Sequence, residues 1–373
     1  MIDFTRAAEP AMSKALSEQP GICSNGELAV SASAIGAAST IPFVSVVIPM
    51  RNEEEYAEKC ILSLLHQTYP GDRYEVLVVD GNSSDKSCEI VQRLQPSYPN
   101  LRLLHNPAGI VPTSMNLGIR SGRGEIVVRA DAHTVYPAMY IERCVRYLNQ
   151  TNADNVGGPI RTIAAGKSFG AQLVVAVLGN RFGVGNSEFR TSALEGYVDT
   201  VPFGTFRKDL FDRVGFFNEQ LVRNQDNEMN ARIRKAGGKI YLTPALTTDY
   251  FAPSTFEQLL RQTYRNARWH FFTLRQMPGA LGVRHLLPAG FVLTLGLCGV
   301  LTFTTTWARV VLAVILLVHV LIGYSFAARQ SNARPVVRLA LPFAFLAFHA
   351  CYGIGTIAGL PFVITRPGTS PIR

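Results

Sequence analysis

From Val44 onward, short β-branched runs alternate with stretches whose apolar residues recur at helical spacing. Val44-Ser45-Val46-Val47-Ile48-Pro49 predicts a strand, and Asn52 then predicts the cap of a helix that aligns Tyr56, Cys60, Ile61, Leu64 and Leu65. Val76-Leu77-Val78-Val79 predicts a second buried strand that runs into Asp80, after which Ser84 opens a helix with Cys88, Val91 and Leu94 on one face. Leu101-Arg102-Leu103-Leu104 and Ile126-Val127-Val128 predict further strands, separated by a helix near Thr113 to Arg120. Strands alternating with helices imply right-handed crossovers and an α/β fold on a mainly parallel sheet, whose ligands gather at the carboxyl ends of the strands. Asp80 and Asp131 fall at such ends.

After about residue 285 the pattern changes solvent. Leu286 to Thr306 and Val310 to Ala328 carry almost no charge over lengths close to the ~20 residues that a bilayer helix needs. Val337 to Thr365 is a third such stretch, interrupted by Pro342, Gly353 and Gly355. Arg329, Arg334 and Arg338 lie between the second and third spans and Arg309 alone between the first two, so the positive-inside rule puts residues before the first span in the cytoplasm. One of the three stretches lying in the interface or re-entering the bilayer is the competing expectation. Residues 1–40 lack periodicity and a signal-peptide pattern and are expected to form a flexible cytosolic arm.

Composition narrows the function classes. The 373 residues are 47% hydrophobic and 17% charged, with a net charge of +9. Such an excess of Lys and Arg suits nucleic acid, anionic lipid or a polyphosphate substrate. Nucleic acid would leave the apolar stretches unexplained, and no basic and aromatic platform for it is evident. Six scattered cysteines, with no Cys-x-x-Cys pair, read as small buried hydrophobes in a reducing compartment.

Five motifs then stand in order: Val46 to Glu54 (VVIPMRNEE), Ser63 to Pro70 (SLLHQTYP), Val78 to Asp85 (VVDGNSSD), Ala130 to His133 (ADAH) and Gln225 to Glu228 (QDNE). Together they resemble family 2 glycosyltransferases of the GT-A fold, a Rossmann-like nucleotide-sugar-binding domain, and in particular bacterial exopolysaccharide enzymes of the succinoglycan glucosyltransferase type. The resemblance implies a catalytic domain over residues 41–255, an amphipathic interfacial segment over 256–285 and about three transmembrane helices over 286–373.

The same resemblance assigns expected roles. Asp80 ends the strand that floors the nucleotide pocket, where its carboxylate accepts from uracil N3–H, with Pro49 and Glu53 bordering the base and Asp85 one loop further on. Asp85 reads equally as a charge on a helix N-terminus. Asp131 and His133 alternate across Ala132, so in extended geometry both face one divalent ion, which would offset charge on the departing diphosphate. The family more often has Asp in the third place; imidazole suits Mn²⁺ better than Mg²⁺. A surface histidine in a turn is the alternative for His133. Asp226 matches the family's general base, although a helix cap is its plainer reading, and Gln225 stands where many relatives have Glu. Gly204, in Phe203-Gly204-Thr205-Phe206-Arg207, is expected on the acceptor side, or as an ordinary turn glycine. Gln262 to Trp269 resembles the Gln-x-x-Arg-Trp motif of membrane polysaccharide synthases with Arg265 in place of Gln, which implies Arg268 on the diphosphate and Trp269 on the acceptor. An amphipathic helix on anionic lipid, Leu259 to Phe272, competes with that reading.

The expectation is an inverting, metal-dependent enzyme of the bacterial inner membrane. It moves a sugar, glucose by resemblance, from a UDP-sugar to a glycan on polyprenyl diphosphate, with Mn²⁺ or Mg²⁺ as cofactor and membrane lipid as a partner. A polyprenyl-phosphate sugar transferase is the close rival, and a non-catalytic scaffold that binds nucleotide or lipid is the distant one.

Overall fold

The computed structural model describes residues 41–365 apart from 186, 192, 193 and 332; the expected flexible arm and Cys23 lie outside the described residues. The first half alternates as the pattern predicts: β1 (Val44–Met50), α1 (Ala57–Leu65), β2 (Tyr74–Asp80), α2 (Ser87–Leu94), β3 (Leu101–His105), α3 (Val111–Ser121) and β4 (Ile126–Arg129). These four strands pair in the order β3-β2-β1-β4, all parallel. The sheet continues through β9 (Thr205–Arg207), β6 (Asn155–Gly157), β10 (Ile240–Leu242) and β8 (Gly196–Tyr197); β9 runs antiparallel to both of its neighbours and β8 antiparallel to β10. A second sheet joins β5 (Thr134–Val135), β11 (Thr248–Phe251) and β7 (Ile160–Ile163). The architecture is mixed α/β with a mostly parallel sheet, as expected of the GT-A fold.

Two capping expectations are corrected. Asn52 adopts φ 54° and precedes α1 by a turn; its amide oxygen instead accepts from the Ser84 N–H at 2.8 Å, tying the β1 loop to the β2 loop. Ser84 lies in that loop and α2 begins at Ser87. The Asn52 side chain satisfies a loop amide across the strand ends and the Ser84 hydroxyl donates to the same oxygen at 3.4 Å, a long-range pairing that local spacing does not reveal.

At the opposite ends of the strands, Glu75 is fully buried. It accepts from the Ser45 hydroxyl at 2.9 Å, the Arg102 guanidinium at 2.9 Å and the Arg123 N–H at 2.6 Å. Burial pushes its pKa up, but these donors and the Arg123 charge outweigh that and hold it below the ordinary 4.5.

Three helices are long and apolar enough to cross a membrane: Val283–Leu301, which contains α12 (Leu287–Leu301), α13 (Thr306–Ala328) and Pro335–Ile364 of α14 (Pro335–Thr365). Pro342, Gly353 and Gly355 do not break α14. A Cβ on Gly353 would collide with the Pro288 carbonyl, and one on Gly355 or Gly359 with the backbone of Tyr264 or Arg268. These glycines are therefore a seam for close packing on α12 and on α10 (Phe256–Ala267). The apolar face of α10 that was expected on lipid, Leu259, Thr263 and Ala267, is buried, and α10 packs on α14 and on α5 (Phe169–Leu178).

Because Glu75 titrates below its unfolded value, its contribution is complete above pH 4.5 and is lost as the pH falls through the folded value. Glu75→Gln is expected to lower stability at pH 7 by about 1–3 kcal/mol and to flatten the acid decline of the melting midpoint. Parallel melting curves for both proteins from pH 7 to 3.5 would contradict this.

Candidate active site

The loop after β1, the loop after β2 and the turn after β4 meet at the carboxyl edge of the parallel strands. Asp80, the last residue of β2, is buried. Its carboxylate accepts from the N–H groups of Asn82 at 3.0 Å and Ser83 at 3.2 Å, and His105 Nδ1 lies 3.6 Å away. The left-handed Asn82, φ 66°, folds the loop back and supplies these donors. Asp85 accepts from the Glu54 N–H at 3.1 Å and the Ser87 N–H at 3.0 Å, so it holds the first turn of α2 against the β1 loop. Burial opposes its ionisation, yet the hydroxyl and amide of Ser87 and the amide of Glu54 keep its pKa below the usual carboxylate value. Pro49 sits half-buried in β1 beside these loops.

The extended geometry expected for Asp131-Ala132-His133 is not observed. Strand β4 ends at Arg129 and the tripeptide enters a turn, anchored where the Asp131 N–H donates to the Tyr136 hydroxyl at 2.8 Å and the Phe251 N–H to the His133 carbonyl at 3.0 Å. His133 Nδ1 pairs with Glu53 Oε1 at 3.0 Å, and its ring meets that of Tyr250 edge-on at 5.0 Å. Burial alone would lower the imidazole's pKa; the Glu53 hydrogen bond, Tyr250, and the Asp131 and Glu53 charges overcome it and lift the pKa to about 10. The Glu53 pairing takes up Nδ1, and with the backbone in a turn the imidazole and Asp131 are not lined up along one extended face as expected. Among the described residues, no group of three or more His, Cys, Asp or Glu is arranged around a common point. Asp131 pairs with Arg129 Nη2 at 3.5 Å and keeps its side chain 23% exposed, so its carboxylate can still meet a cation from the cleft. A hard ion on one carboxylate completes its shell with diphosphate oxygens and water.

Arg129 is a member of the candidate site that residue spacing does not single out. It ends β4 with its side chain 5% exposed, and its two terminal nitrogens reach Asp131 and Asp226. Its N–H donates to the Gly204 carbonyl at 2.9 Å, which joins β4 to the segment entering β9. The available signal was one charge closing the apolar run Ile126-Val127-Val128. Asp226 stands in the first turn of α9 (Gln225–Lys235), whose cap position belongs to Asn224 with φ 61°. Its carboxylate turns to Arg129, so the helix-cap reading does not hold.

Three further expected contacts have other uses. A Cβ on Gly204 would strike the Asn155 side chain, so the glycine makes room for protein packing. Trp269 is 4% exposed in a cluster with Leu221 and Phe272 and offers no free face for stacking on an acceptor. The Arg268 guanidinium lies over the rings of Tyr264, at 5.8 Å, and Phe362, at 5.0 Å, where α10 meets α14.

Comparison with known proteins agrees with this architecture. Residues 45–215 match the family model described as glycosyl transferase family 2. The chain is 30% identical over 248 residues to the succinoglycan biosynthesis protein ExoA of Rhizobium meliloti, covering 65% of this chain and 73% of that protein. It is 25% identical over 330 residues, 85% of this chain and 97% of the other, to a dolichyl N-acetyl-α-D-glucosaminyl phosphate 3-β-D-2,3-diacetamido-2,3-dideoxy-β-D-glucuronosyltransferase of Methanococcus voltae. Among solved structures, the mannosyltransferase PcManGT from Pyrobaculum calidifontis, in complex with GDP-Man and Mn²⁺, shares the fold with a TM-score of 0.50 at 20% identity, covering 87% of this chain and 88% of that one. The parallel strands, the carboxylates at their carboxyl edge and these likenesses have one explanation: the chain belongs to glycosyl transferase family 2.

Proposed function

We propose that the protein is an inverting glycosyltransferase that moves a hexose, glucose in the first instance, from a UDP-sugar to a lipid-linked oligosaccharide during exopolysaccharide synthesis. The observation that carries this reading is the position of Asp131 and Asp226 on two arms of one buried guanidinium. A donor-side carboxylate and a candidate base then lie within the span of one sugar ring's reacting atoms, which a single displacement requires.

In this reading Asp80, Asp85, Pro49 and Glu53 shape the nucleotide pocket, and Asp131 holds the divalent ion with the diphosphate. Bound Mn²⁺ or Mg²⁺ offsets charge on the departing nucleoside diphosphate. Asp226 takes the proton of the acceptor hydroxyl as its oxygen attacks the anomeric carbon. Arg129 holds the two carboxylates apart from each other's charge and fixes the distance between them. His133, in its pairing with Glu53, orders the β1 loop against the donor. The names of the Methanococcus and Rhizobium relatives, a dolichyl phosphate-linked sugar and succinoglycan, support a lipid-linked acceptor and a polysaccharide product. The three apolar helices support a bacterial inner-membrane location with the catalytic part in the cytoplasm.

Asp226→Asn is expected to lower transfer from radiolabelled UDP-glucose to native lipid extract by about 10²–10⁴-fold with UDP affinity retained. Full activity would remove the base and favour a lipid phosphate, which needs none, as the acceptor. Asp131→Asn is expected to raise the Mn²⁺ concentration for half-maximal activity by about tenfold or more, whereas His133→Gln shifts it far less. An equal shift in both would restore His133 as a ligand.

A further inference from the structure

A cavity of about 530 Å³ joins the neighbourhood of the base to the interior of the apolar helices. Thr200, Asn224 and Asn227 line it beside the start of α9, and Phe291, His319 and Phe348 line it from α12, α13 and α14. Among the described residues of its wall there is no aspartate or glutamate, while Arg190, Arg284 and four histidines are present.

Three of its polar groups are incompletely served by the protein. The Arg190 guanidinium lies 5.6 Å over the ring of Tyr250 and 5.8 Å over that of Phe189, and its polar contact is the Thr162 hydroxyl at 3.4 Å. It meets no carboxylate among the described residues, and burial pushes its pKa down. His319 Nε2 and Asn266 Oδ1 are buried without a hydrogen-bond partner. A bare cation, an unmet imidazole and an unmet amide oxygen in an apolar wall are costly unless a ligand completes them. Such a ligand needs an anionic group for Arg190 and His319, a hydroxyl for Asn266 and an apolar body for Phe182, Phe291 and Phe348. Arg223, held near Tyr250 and facing the charge of Arg265, adds positive potential to the same side.

We propose that this cavity seats the phosphate end of an isoprenoid-linked acceptor. Arg190 and His319 donate to the phosphate oxygens, Asn266 accepts from a hydroxyl of the attached sugar, and the aromatic side chains enclose the first isoprene units. The assignment rests on the lipid-linked acceptor inferred above and locates it: the phosphate is anchored away from the donor turn, so the glycan extends from the cavity past Asn224 and Asn227 toward Asp226.

The test is binding of farnesyl diphosphate, farnesol and inorganic pyrophosphate to the full-length protein in nanodiscs by calorimetry, without donor. Farnesyl diphosphate is expected to bind more tightly than either fragment, and Arg190→Gln and His319→Phe each to weaken it on the order of tenfold, with partial recovery in Arg190→Lys. Melting midpoint and UDP affinity serve as folding controls; should Arg190→Gln fail them, His319→Phe and Asn266→Ala carry the comparison. Pyrophosphate binding as tightly as farnesyl diphosphate would overturn the lipid, farnesol doing so would overturn the phosphate, and unchanged affinity in the variants would overturn the site. Wild-type protein that binds farnesyl diphosphate but transfers no sugar from any UDP-sugar would sink the glycosyl-transfer reading while leaving the cavity assignment intact.

Discussion

A guanidinium held at 5% exposure demands anionic partners, because an isolated charge in that position would cost several kcal/mol. Arg129 finds two, and the surrounding structure is arranged so that it can. Strand β4 must end where it does for the side chain to enter the cleft. The chain must then turn at once, so that Asp131 points back toward it. Strand β9 must run antiparallel beside β4 so that the Gly204 carbonyl accepts from the Arg129 N–H. Helix α9 must begin at Gln225 so that Asp226, in its first turn, presents its carboxylate inward. The placement of both carboxylates thus follows from one buried charge.

Much of this was legible from residue order alone. The parallel half of the sheet follows from period and spacing, since Val46-Val47-Ile48 of β1, Val76-Leu77-Val78-Val79 of β2 and Ile126-Val127-Val128 of β4 are buried apolar runs. Asp80, Asp131 and Asp226 stood out because they punctuate those elements. What spacing could not show was which partner each polar side chain takes. Asn52 and Ser84 look like helix caps locally and are instead bonded to each other across two loops. Trp269 lies in a motif that implies stacking, yet Leu221, distant in sequence, covers it. Such outcomes depend on tertiary neighbours, which outweigh local preference wherever a buried donor or acceptor would otherwise go unpaired.

His133 is the sharpest case. Two residues beyond Asp131, a histidine reads as a second ligand only if the backbone is extended. Once the strand ends at Arg129 the tripeptide becomes a turn, and the ring is delivered to Glu53 at 3.0 Å. The same turn that follows Arg129 sets His133 against Glu53, and the pair joins the turn after β4 to the β1 loop.

The apolar helices obey a similar logic. An amphipathic α10 followed by hydrophobic spans suggests a catalytic body tethered to a bilayer by a surface helix. Instead, one buried cluster contains Ile160, Phe203 and Tyr250 from the catalytic segment together with Ala327, Leu341 and Phe345 from α13 and α14. The glycine seam of α14 makes this possible, for a side chain at Gly355 or Gly359 would push α10 away. A shared core resists independent motion, because separating its two sides would expose apolar area at roughly 25 cal/mol per Å². The distance from the apolar helices to Asp226 is then set by packing rather than by a linker.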